Sequence, residues 1–408
     1  MAKFQFPKDF YWGAATAAYQ VEGGIYNTDW AQAAEEGRVP TAGLSSDHYH
    51  RYEEDFDILK GLGHNAHRLG IEWARIEPQE GQFDLEAIEH YRQVLKALRL
   101  RDVEPFVTLW HFTLPSWFAD SGGFLRADAP EVFARYCAFV VEELGDLCTH
   151  YATLNEPMVV ASQGYLIGQF PPFKRVPFVG HLSLQDRGKS RRTDVSIRNV
   201  IEYYRLENAL AQAHVVAYNA IKKVKPKVEV GLVKHTVVFH SVDNPVYKPL
   251  VAIMNWYWTY RFMNKVVKKC DSIGLNYYQH RKFGERKEYS LTDMGWQIYP
   301  EGIEQALKIL WKYRKPIYIS EAGCADAKDA FRADYITRQI QGVARAMKAG
   351  VLVKGHMYWS LLDNYEWALG YEKRFGLVEI NYETLERRVR DSALVYKRII
   401  EENAIELD

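Results

Sequence analysis

Cysteine is scarce. The 408-residue chain has four, Cys137, Cys148, Cys270 and Cys324, and none stands in a Cys-x-x-Cys spacing. So few thiols, so far apart, exclude a disulfide framework. An excess of one charge is also missing, since 52 Lys+Arg balance 52 Asp+Glu. Nucleic acid and anionic membrane surfaces select a basic surplus, so neither is an expected partner. No stretch reaches the ~18 consecutive apolar residues that suggest a membrane span. The most aromatic segment, 246–263 with Trp256 and Trp258, is broken by Lys248, Asn255 and Arg261 and reads as a packed or partly exposed helix. The opening MAKFQFPKDF lacks a basic region followed by an apolar run, so no signal peptide is expected and a reducing cytoplasm is the default setting. Long Gly/Ser linkers and short repeats are absent. The basic cluster RGKSRR, Arg187 to Arg192, reads as a solvated loop.

What is present is a 48% hydrophobic composition with a regular alternation of two patterns. Apolar and β-branched runs occupy 12–20, 65–71, 103–110, 150–155, 228–238, 271–277, 316–320 and 353–359. Amphipathic stretches lie at 50–61, 85–101, 130–145, 201–225, 301–313, 331–349 and 390–403. The helical reading rests on three- and four-residue spacing, as in Ile303, Ala306, Leu307 and Leu310. Runs such as PIYIS are continuous rather than alternating, which suits a parallel strand covered on both faces. Eight strands with helices between them predict an α/β fold, a (β/α)8 TIM barrel forming a single domain over 1–408.

In such barrels the chemistry lies at the C-terminal ends of the strands. Those ends carry Gln20, Arg68, His111, the pair Asn155–Glu156, Asn276 to Tyr278, Glu321 and Trp359. Glu156 on the fourth strand and Glu321 on the seventh would face each other across the mouth. Two carboxyls over a site with amides and aromatic platforms suit glycosidic bond cleavage, one as acid and the other against the anomeric carbon. A gap of ~5–5.5 Å makes the second a nucleophile with retention, whereas ~6.5–9.5 Å admits water and inverts. Sequence alone leaves that gap open. The acid needs a less polar surrounding and the nucleophile a donor or cation; Arg68, Asn276 and Tyr278 are the candidates to support Glu321.

The segments WGAATAAYQVEG, DHYHRYEEDF, RLGIEWARIEP, TLWHFTLPSW, TLNEP, GLNYY, YPEGIEQAL, PIYISEAG and YWSLLDNYEWALGYEKRFGLVEIN follow one another from Trp12 to Asn381. Together they resemble glycoside hydrolase family 1, the β-glucosidase and β-galactosidase family. The resemblance implies a (β/α)8 barrel and a retaining double displacement on terminal β-linked sugars. It makes Glu156 the acid/base and Glu321 the nucleophile. It gives Gln20, His111, Asn155, Glu366 and Trp367 the sugar, with Tyr278 beside them, Trp359 as stacking platform and Phe375 as pocket wall. Family members acting on 6-phosphorylated sugars usually lack a glutamate at the position of Glu366, so a neutral sugar is expected, as a small β-glycoside or an oligosaccharide.

The chain departs from the family pattern in places. Ser320-Glu321-Ala322-Gly323 stands where Thr-Glu-Asn-Gly is usual, Phe112-Thr113 where Trp-Asp is commoner, and Tyr151 replaces a usual Trp. The segments 279–295 and after Glu321 look short, which predicts a more open mouth. Two other readings compete. A transglycosylase would use the same covalent intermediate with a sugar or alcohol in place of water. A non-catalytic sugar-binding barrel would have lost one of the two glutamates, and both are present. His48, His50, His64 and His67 invite a zinc reading, but their spacing lacks a His-Glu-x-x-His pattern. GLGHNA, Gly61 to Ala66, fits a dinucleotide fingerprint only formally, because it follows a helix and precedes a strand; it reads as a helix stop. No cofactor or metal is called for, and assembly into a homo-oligomer is compatible with the composition.

Overall fold

The computed structural model describes residues 2–177, 194–285 and 289–407. The basic cluster at 187–192 lies outside the described residues. Eight parallel strands close into a barrel: β1 (Tyr11–Ala15), β2 (Ala66–Gly70), β3 (Glu104–Thr108), β4 (His150–Asn155), β5 (Glu229–His235), β6 (Ile273–Tyr277), β7 (Ile317–Ala322) and β8 (Val353–Trp359). Each strand pairs with its sequence neighbours, and β8 returns to β1 with Met357 opposite Gly13. Parallel neighbours cannot be joined by a tight turn, so every crossover carries helix. These include His48–Gly61, Leu85–Leu100, Ala129–Leu144, Asn199–Val224, Ile303–Trp311 and Arg332–Lys348, with Asp391–Glu402 after β8.

The elements form where the patterns place them. Ala129–Leu144 buries Val132, Phe133, Tyr136, Cys137, Val140, Val141 and Leu144, a three- and four-residue repeat. All six residues of β7 are buried, which explains its unbroken apolar run. The helix before β2 stops at Gly61, and Gly63 turns the chain with φ +80, so GLGHNA is a helix end feeding a strand. One large core lies between sheet and helices. A smaller one contains Ala15, Phe106, Tyr318, Met357, Trp359 and Phe375.

Three segments differ most from the sequence reading. The first strand ends at Ala15, not at residue 20; Gln20 sits on the short helix Ala18–Val21 that follows. The run 228–238 divides into β5 and a separate strand, Val238–Ser241, which pairs with His280–Phe283 beyond the barrel. The aromatic stretch 246–263 is helical in three pieces, with a wide π-turn at Trp256–Tyr260 between Lys248–Asn255 and Arg261–Val266. Among the described residues no helix is long and apolar enough to cross a membrane.

Candidate active site

The Asn-Glu-Pro stretch shows how local chemistry builds the site. β4 runs to Asn155, where the chain must leave the sheet. Pro157 disfavours right-handed helical backbone at the residue before it, and Glu156 takes the left-handed conformation, φ 45 and ψ 52. Pro157 then opens the helix Pro157–Tyr165, in the first turn, where a missing N–H leaves nothing unsatisfied. The Glu156 N–H is held by the Val233 carbonyl of β5 at 2.9 Å.

The strand ends surround a cavity of about 800 Å³. Gln20, His111, Asn155, Glu156, Tyr278, Glu321, Trp359, Glu366, Trp367 and Phe375 all line it. Arg68 and Asn276 stand beneath, both buried. Of the residues expected to meet at the mouth, none is left elsewhere in the molecule.

A continuous polar network fixes their orientation. The Arg68 guanidinium pairs with Glu321 Oε1 and donates to Asn155 Oδ1 at 2.9 Å and Thr108 Oγ1 at 2.8 Å. The Tyr278 hydroxyl donates to Glu321 Oε2 at 2.7 Å. Both oxygens of Glu321 are therefore held. Asn155 Nδ2 lies 3.0 Å from His111 Nε2, which fixes that nitrogen as an acceptor when the ring is neutral. Burial, and then the Arg68 charge, push the His111 pKa well below its ordinary value, so the ring is neutral. Gln20 donates to the Tyr365 carbonyl at 2.7 Å and to Asn364 Oδ1 at 3.0 Å. Gln20 Oε1 and His111 Nδ1 are buried atoms without a protein partner. Buried polar groups ordinarily find one, and both belong to residues that line the cavity.

Asn276 departs from its expected placement. Its amide nitrogen donates to Glu156 Oε1 at 2.6 Å and to Asn155 Oδ1 at 3.2 Å, while its oxygen accepts from the Ser320 hydroxyl at 2.8 Å. It supports Glu156 rather than Glu321. The cause is local: Ser320 occupies the amide oxygen, and the nitrogen is left to turn toward β4.

The two glutamates stand in unlike surroundings. Burial first, and the Glu321 charge second, push the Glu156 carboxyl up to about 8, against the opposing pull of the Asn276 amide and the Lys234 and Arg68 charges. Glu321 has a guanidinium and a phenol on its oxygens. Glu366 is likewise raised to about 8 by burial and by Glu321, so near neutral pH it is a carboxylic acid able both to donate and to accept. Aromatic walls complete the pocket. The His111 ring lies near parallel to both Trp359 and Trp367, its centroid 5.9 Å from each.

Several lining residues escaped the sequence reading, among them His235, Trp258, Met294, Trp296 and Leu369. The sequence gives Trp258 only a packed or partly exposed helix; in the structure it lies in the π-turn and lines the cavity. Of the four histidines that invite a zinc reading, His48, His50 and His67 have hydrogen-bond partners, whereas both nitrogens of the buried His64 ring have none among the described residues. His48 pairs with Asp55 at 2.7 Å, His50 with Asp47 at 2.6 Å, and burial leaves His64 and His67 near 3. Among the described residues no group of three or more His, Cys, Asp or Glu is placed to hold a metal ion.

The comparisons with known proteins agree with this geometry. The family model described as Glycosyl hydrolase family 1 matches residues 2–252 and 246–405. Beta-glucosidase A of Acetivibrio thermocellus is 32% identical over 458 aligned positions, covering 99% of this chain and all of the relative. With 408 residues here, that relative carries insertions this chain lacks. A beta-galactosidase of Sulfolobus acidocaldarius is 29% identical over 98% of this chain and 96% of its own. Among solved structures, a beta-glycosidase from Pyrococcus horikoshii superposes with a TM-score of 0.87 at 32% identity, covering 99% of this chain and 97% of that one. Beta-glucosidase from Thermotoga maritima in complex with glucoimidazole gives 0.87 at 29% identity, over 98% and 99%. The chain belongs to glycosyl hydrolase family 1, and it is a glycosidase of the β-glucosidase and β-galactosidase type.

Proposed function

We propose that the enzyme removes terminal β-linked neutral sugars by double displacement with retention, Glu156 serving as acid/base and Glu321 as nucleophile, within one catalytic domain. The observation that carries this reading is the inequality of the two carboxyls. Glu156 sits in a buried setting that keeps its proton through neutral pH, which the leaving oxygen requires. Glu321 has Arg68 and Tyr278 on its two oxygens, partners that suit an ionised nucleophile.

The steps follow from these roles. The Glu321 carboxylate forms a bond to the anomeric carbon as the bond to the leaving oxygen breaks, and Glu156 delivers its proton to that oxygen. In the second step the Glu156 carboxylate takes a proton from water, whose oxygen displaces Glu321 from the sugar. Asn155 is placed to bind the hydroxyl next to the anomeric carbon, a contact that strengthens as positive charge develops. Gln20, His111 and Glu366 provide acceptors and donors for the remaining hydroxyls, and an analogue lacking one would leave them unpaired. Trp359 and Trp367 offer flat apolar faces to the ring, and Phe375 closes the wall. A protonated Glu366 suits uncharged hydroxyls. We place the protein in the cytoplasm on the ground that its four cysteines are free and buried.

The test is a Glu321→Gly variant given a glycosyl fluoride of inverted anomeric configuration. Loss of hydrolysis together with formation of transfer product to an added acceptor is expected. Absence of product from a folded variant would remove Glu321 from the nucleophile's place. Glu156→Gln completes the test: it should cost far more on poor leaving groups than on activated aryl glycosides.

A further inference from the structure

The charge balance of the whole chain hides one unbalanced stretch. Between Asp243 and Asp271 the sequence carries Lys248, Arg261, Lys265, Lys268 and Lys269 and no acid. This stretch is the helical run that continues, through the π-turn, from Pro245 to Lys269. Its first half is apolar on two sides. Met254, Tyr257 and Trp258 line the cavity. Val246, Leu250, Ile253 and Trp256 follow a three- and four-residue spacing and face outward, with exposures from 39% for Leu250 to 76% for Val246. A surface helix in water ordinarily keeps one apolar stripe and turns polar residues to the solvent. A second, exposed stripe marks a surface that something apolar covers. The second half of the run changes character. Phe262, Met263 and Val266 are buried, while Lys265 and Lys268 are exposed. Lys248 is exposed near the start of the run, and Lys312 lies 4.3 Å from the centre of the Tyr260 ring.

We propose that this outer face docks the enzyme on an anionic lipid surface: the row from Val246 to Trp256 enters the headgroup layer, and the lysines meet the lipid phosphates. The composition is that of a helix lying in the interface, with Val, Leu, Ile and Trp on one stretch and Lys beside them. Lysine stems lie along apolar surface while their ammonium groups stay at the headgroups. A second copy of the chain fits less well. A two-fold contact sets the same face against itself, and here cations would meet cations with no acid of the run to pair them. Glu207, buried below, is one carboxylate shared by Arg261 and Lys265, so the face stays positive. Docking holds one wall of the cavity against the lipid, where glycosides with a lipid leaving group present their sugars. It does not depend on the roles of Glu156 and Glu321.

The experiment is co-sedimentation of the whole protein with vesicles of phosphatidylcholine mixed with phosphatidylglycerol, and with vesicles of phosphatidylcholine alone. Binding to the mixed vesicles is expected, weakened by salt, with a blue shift of tryptophan emission as Trp256 leaves water. Lys248→Gln together with Lys268→Gln removes both charges and should weaken binding roughly 10- to 30-fold. Ile253→Glu together with Trp256→Glu should weaken it at least as much. These residues lie outside the cavity lining, so each pair should hydrolyse a small soluble glycoside as the parent does, which also reports folding. If the second pair fails that check, Ile253→Glu alone is read in its place. No binding to the mixed vesicles, equal binding to both vesicle types, or binding indifferent to the substitutions would overturn the proposal. So would a dimer, seen by sedimentation velocity without lipid and dispersed by Ile253→Glu, which would assign the face to a second copy.

Discussion

Asn276 holds Glu156. Its amide nitrogen lies 2.6 Å from Glu156 Oε1, and its oxygen is pinned by the Ser320 hydroxyl, one residue before Glu321. One neutral side chain therefore links the strand end of one carboxyl to the strand of the other. Asn276→Ala should release the Glu156 carboxyl from its set direction and remove a donor to its ionised form. Loss of a hydrogen bond to a buried charged group costs ~1–3 kcal/mol, so kcat/KM on poor leaving groups should fall on the order of 10- to 100-fold. A series of aryl glycosides of graded leaving ability checks this, since activated members should suffer less.

The pH profile should report the raised acid. A carboxyl whose pKa stands at about 8 keeps its proton below that pH and loses it above. Glycosylation needs the protonated form, so kcat/KM should decline as pH rises through about 8. Glu366, raised to about 8 as well, titrates in the same range. The two are separated by repeating the profile with Glu366→Gln. The alkaline limb should persist there, and it should vanish in Glu156→Gln assayed with an activated substrate.

Arg68 and Glu321 form a buried pair, with side chains 3% and 5% exposed. Breaking such a pair leaves one charge without its partner and typically costs ~3–5 kcal/mol. Arg68→Met should therefore lower stability by that order in urea unfolding. Adding Glu321→Gln should restore part of it, because the stranded carboxylate is then gone. Equal stability of the single and double variants would show that the two side chains do not stabilise each other.

Much of this was legible in the sequence, for physical reasons. Strands buried on both faces leave unbroken apolar runs, so β4, β7 and β8 could be read closely; β8 runs from Val353 to Trp359 in both readings. Helices betray themselves by the spacing of one buried face. The polar residues at the strand ends were legible because a barrel interior has no need of Glu156 or Glu321. What could not be read was direction. Nothing in the order of residues says that Asn276 turns to Glu156, because that depends on Ser320 claiming its oxygen. Gln20 was assigned to a strand because WGAATAAYQ is apolar throughout, and a helix of four residues leaves no periodicity to detect. Trp258 looked like packing because the wide turn that re-aims it has no sequence signature.

The left-handed backbone at Glu156 has a consequence for thermal resistance. A side chain with a β-carbon is disfavoured there by ~1–2 kcal/mol relative to ordinary helical geometry, and taking the carboxyl out of water adds its own cost. Glycine takes that conformation freely, though it gains ~0.5–1 kcal/mol of chain freedom when unfolded. A Glu156→Gly protein, impaired on poor leaving groups, is thus expected to melt at or above the temperature of the working enzyme, by a few degrees at most, in a calorimetric scan. Hydrolysis at this position would then be bought with robustness, and a lower melting point for the glycine form would mean that Glu156 earns its place by holding the barrel together.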